Sequence, residues 1–551
     1  MWQQIYVPLE GNLGLSCAVA AIPIFVVLFL IGLRRKPAWI SSLAGLAAAF
    51  LVAVAVYRMP VGKTVSATLY GGAFGLFPIG WVVFWAILLY RLAVESGQFT
   101  LIKDSLGSLT PDRRLQALLI AFAFGAFIEG ASGFGTPVAV AGAMLAGLGF
   151  SPFYAAGICL LANTAPVAFG AIGIPIVTLA GTTGLPLDRL SAGVGRICAP
   201  ISLFIPAYLI WVMGGFKALK KVIPAVAVCG IAFAGMQFFI SNFVGVYLTD
   251  ILASLTAIAA LTALLRFWKP RETAEVGTSK REAAWSVNEG AGLSPAITHS
   301  PRSLLRAWGP YGFLVVLVLL WGYAPVQGFL NRVNLSFAWP GLHNLIQRMP
   351  PVVAQPAAYP ALFNFNWLSA SGTACLVACL LSVVWLRMSM KTFLGILART
   401  ARQMFFAELT IAAVLSLAFL MNYSGATATL GIGFAATGRL FPFFSALLGW
   451  LGVFLTGSDT SSNALFGNLQ VVTAGKLHMS PLLMASSNSA GGVMGKMISL
   501  QSIAVAAAAT NLKPEEEPKL FRFTLRHSLF LAAVVGLVVT FYAYVAPRLA
   551  P

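Results

Sequence analysis

Residues 115–149 read LQALLIAFAFGAFIEGASGFGTPVAVAGAMLAGLG. Two apolar runs flank a tip of small and polar residues, Glu129-Gly130-Ala131-Ser132-Gly133-Phe134-Gly135-Thr136-Pro137. A helix that crosses a hydrocarbon core of roughly 30 Å takes about 20 residues, and each half here has only about 14–16. Such halves suit the two arms of a re-entrant hairpin, whose irregular tip is tolerated only where protein or a cavity surrounds it. A second segment, 440–476, has the same form, with the tip Thr456-Gly457-Ser458-Asp459-Thr460-Ser461-Ser462-Asn463.

The rest of the chain sets these two segments in a membrane. Of 551 residues, 59% are hydrophobic and 9% charged, against about 25% charged in soluble domains. A soluble enzyme and a secreted disulfide scaffold are excluded. Apolar spans fall near 13–33, 38–57, 66–91, 153–181, 190–213, 222–244, 247–266, 309–325, 367–386, 404–422, 482–509 and 528–547. With two hairpins, this predicts an all-α polytopic protein of about 12 transmembrane helices, both termini outside (periplasmic). The first residues hold Glu10 and no Lys or Arg, so they lack the basic start of a cleaved signal peptide.

Charge supports that topology. Of the 35 Lys and Arg, 25 fall in segments assigned to the cytoplasm and 8 outside, with Arg196 and Lys496 inside spans, as the positive-inside rule requires. The net charge of +19 therefore comes in short clusters such as Arg34-Arg35-Lys36, and not in the basic face of a nucleic-acid binder. The six cysteines lie in apolar stretches without metal-like spacing, and Cys375 and Cys379, one helical turn apart, read as packing. No metal or cofactor is expected. The segment 267–307 reads as a mobile cytoplasmic linker, and 326–366, rich in Pro and aromatics, as an outer loop with interfacial helix.

The two halves of the chain echo each other. Phe127-Ile128-Glu129-Gly130-Ala131-Ser132 parallels Phe454-Leu455-Thr456-Gly457-Ser458-Asp459, and Ser151-Pro152 parallels Ser480-Pro481. Asn163-Thr164-Ala165 parallels Asn488-Ser489-Ala490, and Ser96-Gly97 parallels Ser424-Gly425. Order and spacing are shared, the mark of an internal repeat. In the charge-derived topology the first hairpin enters from the cytoplasm and the second from outside. The domain expectation is a first inverted repeat at 1–215 (hairpin 115–149, broken helix 153–181), connecting helices and linker at 216–307, and a second repeat at 308–551 (hairpin 440–476, broken helix 482–509). Inverted repeats with interrupted helices point to a secondary transporter whose site lies near the bilayer midplane.

The interruptions hold the candidate chemistry. The broken helices are expected to open at Asn163-Thr164-Ala165-Pro166 and at Ser487-Asn488-Ser489-Ala490-Gly491-Gly492. Unwound backbone and opposed helix N-termini offer partial positive charge to a carboxylate. Hydroxyl and amide side chains add hydrogen bonds, so a small organic anion fits and a bulky apolar drug does not. Small residues also permit tight helix packing, which would account for the Gly and Ala but not for Asn163, Asn488 and Asp459. Candidate substrate contacts are Ser132, Gly133, Asn163, Thr164, Ser458, Asn488, Ser489 and Lys496. Glu129 and Asp459 are the candidate proton carriers, since an ionisable group inside the bilayer is costly and functional by default. Lys496 reads equally as a structural ion pair, and Glu408 as a partner of Arg399 or Arg402 on its own helix. Arg196 is placed near the outer surface, where it would snorkel. Gly130-Ala131-Ser132-Gly133 also resembles the Gly-x-Ser-Gly nucleophile of rhomboid intramembrane proteases. That chemistry needs a His base, and His299, His343, His478 and His527 all fall in loops or at span ends.

Residues 127–180, with LTGSDTSSNALFGNLQ (455–470) and SSNSAGGVMGKMISLQ (486–501), resemble the lactate permease family of bacteria over nearly the whole chain. That resemblance implies uptake of L-lactate, D-lactate or glycolate, small 2-hydroxy monocarboxylates, by proton symport across the bacterial inner membrane, by a monomer or homodimer in the lipid bilayer. The Asn-Thr and Asn-Ser breaks are also similar to the Ser-Asn-Thr motifs of divalent anion/sodium symporters, which implies an elevator-type transporter. Here the first copy departs from that motif, with Ala162 in place of Ser, and acidic residues near the tips favour protons as the coupling ion. A sodium- or proton-coupled dicarboxylate carrier is the alternative within transport.

Overall fold

The computed structural model describes residues 1–107, 109–133, 135–270 and 300–550. Most of the expected linker and Phe134 of the first tip lie outside the described residues. The protein is an all-α polytopic membrane protein. Among the described residues, twelve helices are long and apolar enough to cross a membrane, or thirteen if a bent pair counts as one span. Their outward faces carry side chains such as Phe25, Leu69, Phe204, Phe239 and Leu537, as lipid contact demands.

Several helices depart from the sequence expectation for identifiable reasons. The first hairpin arm runs Arg113–Ala131, 19 residues and wholly buried, not about 14–16. Asp112 accepts from the backbone N–H groups of Arg114 and Leu115, and Arg114 pairs with Asp112 at 2.6 Å. The cap and the neutralised arginine thus start the helix before its apolar run. The span expected at 66–91 is interrupted over Gly75–Gly80, where Phe77 leaves helical geometry ahead of Pro78. The span expected at 367–386 is the 15-residue helix Ser371–Trp385.

The largest correction concerns the second broken helix. Its first part, Pro481–Lys496, is continuous through 487–492, and the chain breaks only over 497–499, before Leu500–Thr510. The small residues at 487–492 serve packing instead. A Cβ built at Gly491 would strike the Ala446 carbonyl, and one at Gly449 the Asn488 carbonyl, so Phe441–Thr456 and Pro481–Lys496 touch backbone to backbone. Gly491→Val should therefore lower the thermal unfolding temperature of the detergent-solubilised protein, since overpacking costs about 1–3 kcal/mol. Gly475→Ala, whose Cβ meets nothing within 4 Å, should leave it unchanged.

The first broken helix opens where expected. Pro152–Ala162 and Val167–Thr183 meet at a bend of 67°, and Ala171, Ile172 and Gly173 then take positive φ. The segment 326–366, expected as a loop with helix, also carries strands. Trp2–Gln3 pairs with Ile346–Arg348 in a three-stranded sheet, and Leu335–Ala338 with Leu362–Phe365 in a second.

Contacts fix which ends share a face. Thr429 Oγ1 donates to the Tyr6 carbonyl at 2.7 Å, and Tyr544 Oη to the Arg439 carbonyl at 2.8 Å. Both termini thus lie on the face of the small sheets. The 35-residue helix Met390–Ser424, roughly 50 Å long, leads to the other face, where Arg399 pairs with Glu95. Helices Trp81–Glu95 and Met390–Ser424 each end on a left-handed glycine, Gly97 and Gly425. Packing is reciprocal: Gly170–Thr183 lies on the return arm Asp459–Lys476 of the second hairpin, and Leu500–Thr510 on the return arm Thr136–Gly147 of the first.

Candidate functional site

The two hairpin tips meet at a cavity of about 170 Å³. Glu129 and Gly133 enter it from the first tip, and Thr456, Gly457, Ser458, Asp459, Thr460 and Ser461 from the second. Gly170 and Pro175 of the first broken helix, and Lys496 and Gln501 beside the second break, complete its polar side. Its apolar wall includes Ala407, Ile411 and Val414 of Met390–Ser424, with Thr410 among them.

The second tip is the more fully organised. Ser458 caps the helix Asp459–Lys476 by accepting from the Ser461 N–H at 3.2 Å. Asp459 Oδ2 accepts from Ser489 Oγ at 2.6 Å and from Asn463 Nδ2 at 3.2 Å. Asp459 Oδ1 has no partner. Asn463 also donates to the Pro175 carbonyl at 3.0 Å, which ties this tip to the first broken helix. Behind it, Asn488 donates to Asn463 Oδ1 and accepts from Gln470, which in turn accepts from Ser445. A buried polar network with each link satisfied holds its members in one geometry.

The first tip is sparser. Asn163 donates to Glu129 Oε2 at 3.3 Å, and Gly170 lies against the same carboxylate, since a Cβ there would come within 2.6 Å of Oε1. Ser132 donates to the Ile128 carbonyl and Thr164 to the Leu161 carbonyl, each turning back on the end of the helix before it. Lys496, 8% exposed, donates to the Gly457 carbonyl at 2.7 Å. Among the described residues no carboxylate lies in ion-pair range of it, although it lines the same cavity as Glu129 and Asp459. The lysine is therefore not spent on a structural pair.

The expected residues thus divide. Gly133, Ser458, Lys496, Glu129 and Asp459 line the cavity. Asn163 and Ser489 stand behind them on the two acids. Ser132, Thr164 and Asn488 make the contacts given above and do not line it. Thr410 and Gln501 were missed. Thr410 carried a signal, since it stands with Ala407, Ile411 and Val414 on one helical stripe. Glu408 does not pair with Arg399, which binds Glu95 instead; it lies against Gly80 at the interrupted helix, its Oε1 unpartnered. Arg196 donates to Asn242 Oδ1 and to the Leu549 and Ala550 carbonyls, anchoring the C-terminus. His527 lies within Glu517–Tyr544, not at a span end, and bonds Tyr208 at 2.6 Å. No described histidine hydrogen-bonds to Ser132, and His299 lies outside the described residues.

A cavity that gathers two acids, a lysine and several hydroxyls between interrupted helices of an apolar bundle is the arrangement of a membrane carrier. The family model for L-lactate permease matches residues 16–546. The glycolate permease GlcA of Escherichia coli is 44% identical over 99% of this chain and 98% of its own. The L-lactate permease of Bacillus subtilis is 44% identical over 98% of this chain and 97% of its own. Among solved structures, MtrF of Neisseria gonorrhoeae overlays with a TM-score of 0.45 and 14% identity, covering 88% of this chain and 84% of that one, too loose a likeness to argue from. The chain belongs to the L-lactate permease family.

Proposed function

We propose that the protein imports L-lactate, with D-lactate and glycolate as further substrates, by proton symport across the bacterial inner membrane, its termini periplasmic. The observation that carries this reading is Lys496, a buried ammonium without a carboxylate partner, in a cavity shared with Glu129 and Asp459. Among the described residues Lys496 is the one cation that lines the cavity, and one ammonium matches a single substrate carboxylate, where a dicarboxylate would leave its second charge beside Asp459. Ser458, Thr460 and the N-terminus of Asp459–Lys476 supply donors for the substrate's remaining oxygens. The names of the relatives, lactate and glycolate permeases, agree in substrate class.

Coupling is assigned to the cavity acids, and movement to two inverted repeats, 1–215 and 308–551, joined by 216–307. The exchanged packing of the two broken helices on the return arms of the hairpins supports that division. An elevator-type motion would carry both tips, re-entrant in this reading, with the substrate between them. Purified protein in proteoliposomes should accumulate radiolabelled L-lactate when the outside is acidic. Uptake driven by sodium and indifferent to the proton gradient would overturn the coupling, and competition by succinate or malate would favour the dicarboxylate carrier.

A further inference from the structure

Behind the first tip lies an acid that the sequence reading passed over. Asp250 stands in the first turn of Thr249–Phe267 and is 1% exposed. An acid in the first turn has the positive end of its helix close by. Even so, among the described residues neither Oδ1 nor Oδ2 has a hydrogen-bond partner. Its Cβ packs on the hairpin, 2.9 Å from where a Cβ on Gly130 would sit, beside the residue that follows Glu129.

The Gln237 amide, from Ile223–Phe243, is the polar neighbour of Asp250. Gln237 Nε2 donates to the Ala165 carbonyl at 3.2 Å, inside the break of the first broken helix. Among the described residues, both carboxylate oxygens of Asp250 and Gln237 Oε1 are left without a hydrogen-bond partner. Unpaired acceptors out of water are rare and call for an occupant. One proton on Asp250 supplies it, as an Oδ–H donated to Gln237 Oε1.

The other groups around Asp250 do not remove the need. Glu129 faces it from the first hairpin and Cys198 from Leu187–Lys221. Gly170–Thr183, also packed on this helix, brings no titratable side chain. Among the described residues no Lys or Arg lies in ion-pair range of it.

We propose that Asp250 is a third member of the proton relay, a buried carboxyl behind Glu129 that holds the coupled proton. Through Gln237 and the Ala165 carbonyl, its protonation sets the geometry of the break that carries Asn163 and Thr164. The proton enters from the water on one side and leaves to the water on the other, and nothing else is consumed. This inference rests on the proton-symport reading above.

The test is Asp250→Asn in proteoliposomes beside the wild type. Asparagine keeps the shape and offers Gln237 Oε1 an N–H, as the protonated acid would. Accumulation of L-lactate against its gradient should fall at least tenfold, while L-lactate counterflow stays near the wild-type rate and loses its pH dependence. Asp250→Glu, which restores a titratable carboxyl, should recover part of the accumulation. Full accumulation by the asparagine variant would overturn the proposal. So would loss of counterflow together with accumulation, since that marks a structural role. If the wild type itself ignores the proton gradient and follows sodium, the symport reading fails first.

Discussion

Lys496→Met should lower the initial rate of L-lactate uptake in proteoliposomes by about a hundredfold. Removing one member of a desolvated, charge-assisted contact costs about 2–5 kcal/mol, and 1.4 kcal/mol is tenfold in an equilibrium constant. Lys496 is buried, lines the cavity and is held only by the Gly457 carbonyl. Methionine matches the length and apolar stem, so the loss falls on the ammonium. Removing the bond to Gly457 also costs stability, but only about 1 kcal/mol for an ordinary hydrogen bond. Uptake and thermal stability should therefore separate, with a large loss in the first and a small one in the second. An uptake rate within threefold of wild type would show that the ammonium serves the second tip alone.

Asp459→Asn should abolish uphill accumulation and spare exchange. Asp459 Oδ2 accepts from Ser489 and Asn463, and the carbonyl oxygen of asparagine can take both bonds. Oδ1 carries no bond to lose, and an amide there reproduces the neutral, protonated state of the acid. The tip keeps its geometry and loses only the ability to titrate. Lactate counterflow should continue while proton-driven accumulation fails, and Glu129→Gln should behave alike at the first tip. Equal loss of both activities would assign these acids to binding or folding.

Much of this was legible in the sequence because the bilayer punishes charge and irregular backbone alike. The scarcity of charged residues identified a polytopic protein, and the distribution of Lys and Arg placed both termini on one face. Both tips were found because small polar residues stand where hydrocarbon would otherwise be. The displaced second break shows the limit. Gly491 and Gly492 look the same in sequence whether they unwind a helix or admit a neighbour's backbone. At Gly491 the neighbour is the Ala446 carbonyl, contributed by a helix some 40 residues away. The break in 61–95 was missed because every residue there is apolar and only Pro78 marks it.

The sequence by itself determined the class and put an acid at each interrupted tip, since each is a local statement about what hydrocarbon tolerates. It ranked Ser132, Thr164 and Asn488 beside Asp459 because polarity in a span is visible without its direction. Only the tertiary structure decided which of these polar groups face one another. Thr164 turned to its own backbone, Asn488 to the network behind the tip, Lys496 to the cavity, and Asp250 to Glu129 and Gln237. Burial and pairing depend on residues far apart in the chain, and in a low-dielectric interior a few ångströms decide whether a charge is spent or available.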